Sequence, residues 1–226
     1  MSLTRLFISD DSIKYAINIL QNYIINNNYR GFICTDYNNN IIIDQYKKYI
    51  AQNFNDNIIF ISAQSFQQNH IKLAPQIRKY VLKLLINCSI IENIVCIGGE
   101  SYIYGLISNI DNIYHYTNSN SIFEDCKFNN KFYRKNIINN LIDYNNIDIL
   151  PNNKDICLIN LSQLNINLIK LINNNKYKKL IIINCNSDDF WKKIILLKNY
   201  KLVCRKKFIC FKIKYFITIT FFIINI

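Results

Sequence analysis

The sequence predicts an α/β fold: a mostly parallel sheet with helices on both faces, closed by an antiparallel hairpin at the C-terminus. Three observations predict it. Short apolar runs, such as 57–62 (NIIFIS), 155–160 (DICLIN) and 179–184 (KLIIIN), alternate with amphipathic stretches along most of the chain. The segment 94–105, IVCIGGESYIYG, passes from one such run through a glycine turn into a helix. Two final runs, 200–209 and 210–220, read as paired strands, and the apolar tail YFITITFFIINI is rich in the Thr and aromatic residues that strands favour.

Taken in order, Asp10 or Asp11 caps a helix to about Asn27, with Ile13, Ile17, Leu20 and Ile24 at helical spacing. GFICT (31–35) is a strand, 42–54 a helix, 57–62 a strand, and 63–74 a Gln- and Ser-rich loop. Pro75 opens a helix whose Ile77, Val81, Leu84 and Leu85 share one face. Strand 94–97 leads through Gly98-Gly99-Glu100-Ser101 into a helix to about Ile107, and strand 112–117 leads through 118–121 into a second segment. A helix over 135–144 and a short strand over 147–150 precede strand 155–160, helix 163–173, strand 179–184 and a helix opening at 187–189. This order divides the chain into an N-terminal α/β extension, 1–75, and a larger domain, 76–226.

Composition bounds the function less than the pattern does. Asn and Ile run together with Lys and Tyr, the protein-level trace of an AT-rich coding sequence, which suits a large AT-rich viral genome. A net charge of +12 favours polyanionic partners, nucleic acid above all. The eight cysteines show no CxxC pair and several fall in apolar runs, so reduced, buried thiols of a reducing compartment such as the cytoplasm are expected. His70 and His115, the two histidines, join no HxH or HExxH pattern, so no metal site is expected. The first residues, MSLTRLFISDDS, lack the apolar core of a secretory signal, and the apolar tail is short for a membrane span. GGES lacks the GK[ST] end of a phosphate-binding Walker loop, and Ser101 stands in no GxSxG elbow.

From residue 76 the order resembles a class I S-adenosylmethionine-dependent methyltransferase, a Rossmann-like fold. The resemblance rests on IVCIGGES as the cofactor loop, DICLINLS as the fourth core strand, and YKLVCRKKFI/CFKIKYFI as the terminal hairpin. It implies that Gly98, Gly99, Glu100 and Ser101 hold S-adenosylmethionine, that Asn118 meets its ribose, and that Asn160 is the catalytic position that holds the acceptor. The chain departs from the family in three places. Its turn is GGES rather than GxGxG. No carboxylate stands at Tyr116-Thr117-Asn118-Ser119, and Asn160-Leu161-Ser162 keeps only the Asn of the amino-methyltransferase Asn-Pro-Pro-aromatic signature. The Lys-Asp-Lys-Glu set of cap methyltransferases is also absent, with Asn160 and Asn184 or Asn186 at two of its places. A second likeness, of IGGESYIY, NIYHYT, Phe123 and Asp125, is to dihydrofolate reductases, although more chain follows than that fold has left to place.

Lys192, Lys193, Arg205, Lys206 and Lys207 head a C-terminal basic cluster that continues through Lys212 and Lys214, interleaved with Trp191, Tyr200, Phe208 and Phe211. Phosphate contacts beside stacking faces make it the expected nucleic-acid surface. Two functions stay open on these residues: a methyltransferase-like protein acting on nucleic acid, and a catalytically inactive scaffold of that fold binding RNA or a protein partner.

Overall fold

Runs of β-branched residues crowd a helix and suit a pleated strand, and the triplet Ile41–Ile43 opens a strand. The computed structural model describes residues 6–7, 31–35, 41–46, 49–62, 64–65, 73–86, 91–145, 147–152, 154–185, 188–211 and 215–224. The helix expected over 11–27, His70, Asn186, Lys212 and Lys214 lie outside them, as do the side chains of Trp191 and Phe211. The chain divides into two units, Met1–Ala51 with Ile61–Gln64, and Gln52–Phe60 with Ser65–Ile226.

In the first unit β1 (Leu6–Phe7), β2 (Gly31–Thr35) and β3 (Ile41–Tyr46) form a three-stranded sheet, β1 parallel and β3 antiparallel to β2. The strand at 31–35 is as expected. The helix expected over 42–54 is instead β3 followed by β4 (Ile50–Phe54), which turns back into β5 (Asn57–Ile61). The turn residues Asn55 and Asp56 both have positive φ, +52° and +68°. That is the backbone of a two-residue hairpin, which Asn and Asp tolerate best after Gly. The Asn53 carboxamide accepts the Asp56 N–H at 2.9 Å and holds the turn.

The second unit is built on seven strands. They are β6 (Asn93–Ile97), β7 (Asn112–Thr117), β8 (Asn136–Leu141), β9 (Ile156–Asn160), β10 (Lys179–Cys185), β11 (Tyr200–Phe211) and β12 (Tyr215–Ile224). Their order is β8-β7-β6-β9-β10-β12-β11. The first five are parallel, and β12 runs antiparallel to both β10 and β11. This is the Rossmann-like arrangement that the sequence predicts, with its C-terminal antiparallel hairpin. Among the described residues five helices accompany it: α1 (Ala74–Ile86), α2 (Ser101–Ile107), α3 (Asn120–Tyr133), α4 (Ile166–Asn175) and α5 (Asp188–Ile194).

Each face of the sheet has its own helices. Val95, Ile97, Cys157, Ile159, Leu180 and Ile182 pack with Leu168, Ile169 and Ile172 of α4 and Phe190 of α5. On the other face Ile94, Cys96, Ile113, Ile156, Leu158 and Ile181 are buried, where α1 meets β12 and α2 and α3 meet β6, β7 and β8. Each fully buried Leu or Ile contributes about 1.5–3 kcal/mol, so the apolar strands, more than any polar contact, carry the stability. The thiols of Cys96, Cys126 and Cys157 lie in this interior, where burial raises all three, Cys126 to about 12.

Two more expectations are corrected here. Residues 135–144, expected as a helix, contain β8. The preceding helix α3 ends on Arg134 in the left-handed region (φ +52°), and the Asn130 side chain bonds both the N–H and the C=O of Lys135. The chain is thereby released directly into pairing with β7, and tertiary pairing overrides a pattern that fits a helix. Residues 147–150, expected as a strand, are irregular, although Ile147 and Leu150 reach the core.

Within the sheet, His115 of β7 is fully buried beside Tyr102 of α2. Its Nδ1–H donates to the Asn139 carboxamide of β8 at 2.7 Å, while Nε2 has no partner. Burial lowers this imidazole from 6.5 to about 4, against the opposing effect of its hydrogen bond to Asn139. The folded form therefore resists a proton that the unfolded chain accepts. Stability from this group is full above 6.5 and drains away as pH falls towards about 4. Urea titrations over that range will show a loss of up to about 3 kcal/mol, and His115→Gln will flatten that part of the profile.

Candidate functional site

The chain leaves β6 towards β7 and β8 on one side, then returns to place β9 and β10 on the other. A reversal of this kind opens a crevice at the C-terminal ends of the two central strands, where α/β sheets hold their ligands. Here those ends are Gly98-Gly99 after β6 and Asn160-Leu161 after β9.

The glycines are required by contact as well as by conformation. Both have positive φ, +72° and +43°. A Cβ on Gly98 would lie 2.3 Å from Leu161 Cδ2, and one on Gly99 would lie 2.8 Å from the Asn160 carboxamide. Gly98 N–H donates to Tyr116 O at 2.9 Å, carrying the β6–β7 ladder one residue into the turn. Further on, Gly105 lets α2 close on β7, since a Cβ there would meet Ile113 at 3.1 Å.

The third turn residue, Glu100, is 1% exposed, and its carboxylate meets Arg78 of α1. Arg78 grips it with both arms, Nη2 to Oε1 at 2.6 Å and Nε to Oε2 at 3.3 Å. The guanidinium also lies 4.3 Å from the centre of the Phe54 ring. Glu100 thus fastens the turn to a helix, a role the sequence did not reveal because Arg78 stands 22 residues away. Ser101, at the start of α2, is fully buried and its hydroxyl has no partner.

At the neighbouring strand ends the side chains are mostly amides and hydroxyls. Asn118, just past β7, is exposed, and Thr117 is buried. Asn160 is 7% exposed and lies against Gly99. Asn184 of β10 donates to the carbonyls of both Leu161 and Ser162 at 3.0 Å and pins the loop after β9. Tyr144 donates to Tyr116 O at 3.4 Å, and burial raises its hydroxyl to about 12, so it stays a neutral donor. The exposed carboxylate at this edge is Asp143, two residues past β8, whose Oδ1 accepts the Asn145 N–H. A helical reading of 135–144 hides it, because it puts no strand end there.

The structure brings Gly98, Gly99, Glu100, Ser101, Asn118 and Asn160 to one edge of the sheet. The basic cluster lies elsewhere, and strand alternation splits it. On edge strand β11, Arg205 and Lys207 pair with Thr220 and Thr218, whereas Lys206 pairs with Ile219 and points to the opposite face. There Lys206 Nζ lies 4.6 Å from the Tyr80 ring and 5.1 Å from the Phe208 ring. Lys192 and Lys193 sit in the last turn of α5. Two of the aromatic residues expected as stacking faces point inward instead: Tyr200 is 7% and Phe208 5% exposed, and the Tyr200 hydroxyl is bonded to Ile172 O. Among the described residues no three His, Cys, Asp or Glu side chains gather as a metal site, and no helix is long and apolar enough to cross a membrane.

No protein-family profile matches the sequence, and no curated protein matches it by sequence at a significant level. Solved structures do match the fold. Trm5b from Pyrococcus abyssi superposes with a TM-score of 0.70 at 11% identity, over 100% of this chain and 73% of that one. Trm5 of Methanocaldococcus jannaschii in complex with adenosine gives 0.69 at 16%, over 100% and 70%. The tRNA (uracil-54, C5)-methyltransferase of Pyrococcus abyssi, in complex with S-adenosyl-L-homocysteine, gives 0.67 at 15%, over 86% of this chain. The chain spans about half of that last protein, 51% of its length. At these identities the likeness establishes the fold, that of class I S-adenosylmethionine-dependent methyltransferases.

The Arg78–Glu100 pair yields a direct test. Arg78→Met strands a buried carboxylate and will lower the unfolding free energy by about 3–5 kcal/mol. Adding Glu100→Gln removes the stranded charge and will recover most of that loss, read by denaturant titration of both variants.

Proposed function

We propose that this chain is an S-adenosylmethionine-dependent methyltransferase-like protein acting on RNA. The observation that carries the reading is the glycine turn at the topological switch point, beside Asn160, in a sheet of the methyltransferase order. Solved proteins of the same fold, among them the Pyrococcus abyssi tRNA methyltransferase in complex with S-adenosyl-L-homocysteine, support it.

The residues present fit such a cofactor in part. Gly98 and Gly99 form a turn without side chains, the Ser101 hydroxyl is buried without a partner, and the exposed Asn118 amide would meet the ribose hydroxyls. Asp143 on the adjacent strand end offers the carboxylate that the end of β7 lacks. When bound, the cofactor supplies an electrophilic methyl group. Asn160 would then orient the acceptor atom by hydrogen bonding to it. An amide takes up no proton near neutral pH, so the chain's own contribution is alignment of nucleophile with methyl, which alone supplies a large part of a barrier reduction. In this reading 1–75 is an N-terminal extension to a methyltransferase-type domain at 76–226, and Lys192, Lys193, Arg205 and Lys207 contact RNA phosphates, while Lys206 serves mainly to cover Tyr80 and Phe208.

Isothermal calorimetry with S-adenosylmethionine and S-adenosylhomocysteine tests the reading. Saturable heat and a raised melting temperature are expected, and Gly99→Ala, whose new methyl meets Asn160, will abolish both. Asn160→Ala will keep ligand binding but lower methyl transfer to tRNA transcripts by about 100-fold or more. Absence of heat with the wild-type chain at millimolar ligand overturns the proposal.

A further inference from the structure

Phe132 of α3 is an exposed aromatic side chain among the described residues, and α3 packs on β7 and β8, at the opposite end of the sheet from the basic hairpin. Phe132 stacks on Phe60 with 5.1 Å between ring centres and 29° between planes, and Phe128 closes edge-on against both at 5.5 Å. Phe132 keeps 58% of its surface exposed, and neighbouring Ile58 keeps 62%. Burying these side chains would be favourable, so their exposure calls for an occupant.

This platform is held rigidly. The buried Asn129 amide accepts the Phe60 N–H at 2.8 Å and donates to Phe60 O at 2.6 Å, and the Tyr133 hydroxyl donates to Ile58 O at 3.0 Å. Ring positions are thereby set before any partner arrives. Cations stand beside it on α3. Lys131 Nζ stands 5.8 Å from the Phe128 ring centre and Lys127 Nζ 4.2 Å from that of Phe123, and Arg134 is exposed at the end of α3. The exposed acidic residue of α3, Glu124, is bonded to Lys127.

We infer that the Phe60–Phe128–Phe132 platform of α3 and β5 binds single-stranded RNA, by stacking an unpaired base on Phe132 with Lys131 and Arg134 on the flanking phosphates. Flat rings beside cations are what a single strand offers partners for, whereas a duplex hides its base faces. Lysine around the rings argues against a protein partner, because protein interfaces are depleted in it. The helix α3 packs on β8, which lies six strand positions from β11, about 29 Å at ~4.8 Å per strand. One RNA could therefore touch both ends of the sheet, but the platform does not depend on the hairpin or on the methyltransferase reading.

Fluorescence anisotropy of the full chain with a labelled, mixed-sequence single-stranded RNA of roughly 12 nucleotides, and with its duplex, tests this. Phe132→Ala is expected to weaken single-strand binding at least ~5-fold, with little change for duplex, and Phe132→Trp to restore it. Lys131→Glu with Arg134→Glu will flatten the salt dependence by about one to two units of slope. Circular dichroism and melting temperature will confirm that each variant folds. Unchanged single-strand binding by a folded Phe132→Ala variant overturns the inference, as does a loss that Phe132→Trp fails to restore. Loss confined to Arg205→Glu/Lys207→Glu overturns it too while leaving the hairpin contact standing. A failed cofactor titration leaves it untouched.

Discussion

A Cβ does not fit where β6 gives way to α2. Gly98 and Gly99 approach the end of β9 so closely that any side chain would strike Asn160 or Leu161, and their positive φ excludes most other residues independently. Much else follows from this contact. It brings the ends of the two central strands together at the switch point, it sets where α2 begins, and through Gly105 the same helix closes down on β7. The Arg78–Glu100 pair then ties the turn to α1. A buried ion pair is a poor source of net stability, but it is a stringent one of position, since either partner left alone is costly.

The amides have a second part in the structure. Asparagine is so abundant that composition alone reads it as a coding bias. Yet particular asparagines are placed where a donor and an acceptor on one short side chain are needed. Asn129 and Asn130 bond both polar groups of a backbone residue, Asn165 caps α4, and Asn184 holds two carbonyls beyond β9. A biased composition supplies the residue everywhere, and the fold uses it where buried backbone groups lack a ladder partner.

Charge is arranged by the same geometric rules. A run of cations in sequence is divided by the two-residue period of a strand, so Arg205 and Lys207 lie on one face of β11 while Lys206 lies on the other, over aromatic rings. At the crevice, the buried acid is neutralised by Arg78 and the remaining groups are chiefly amides and hydroxyls.

The buried strands, the glycine turn with its short helix, and the terminal hairpin were legible because local sequence dictates them. A strand covered on both faces must be apolar throughout, and a turn with positive φ calls for glycine. The elements that went unread are those set by a distant partner. Residues 136–141 form a strand because β7 offers them an edge, and 41–46 form one because β2 does. With β8 unread, Asp143 could not be recognised as a strand end. By itself, then, the sequence determined the class of fold and the turn at its centre. Only the tertiary structure decided that Glu100 serves Arg78, that Asn184 steadies Asn160's loop, and that Phe60 and Phe132 form one surface. Those pairings join residues 22, 23 and 72 positions apart, a separation at which periodicity is silent and packing alone chooses the partner.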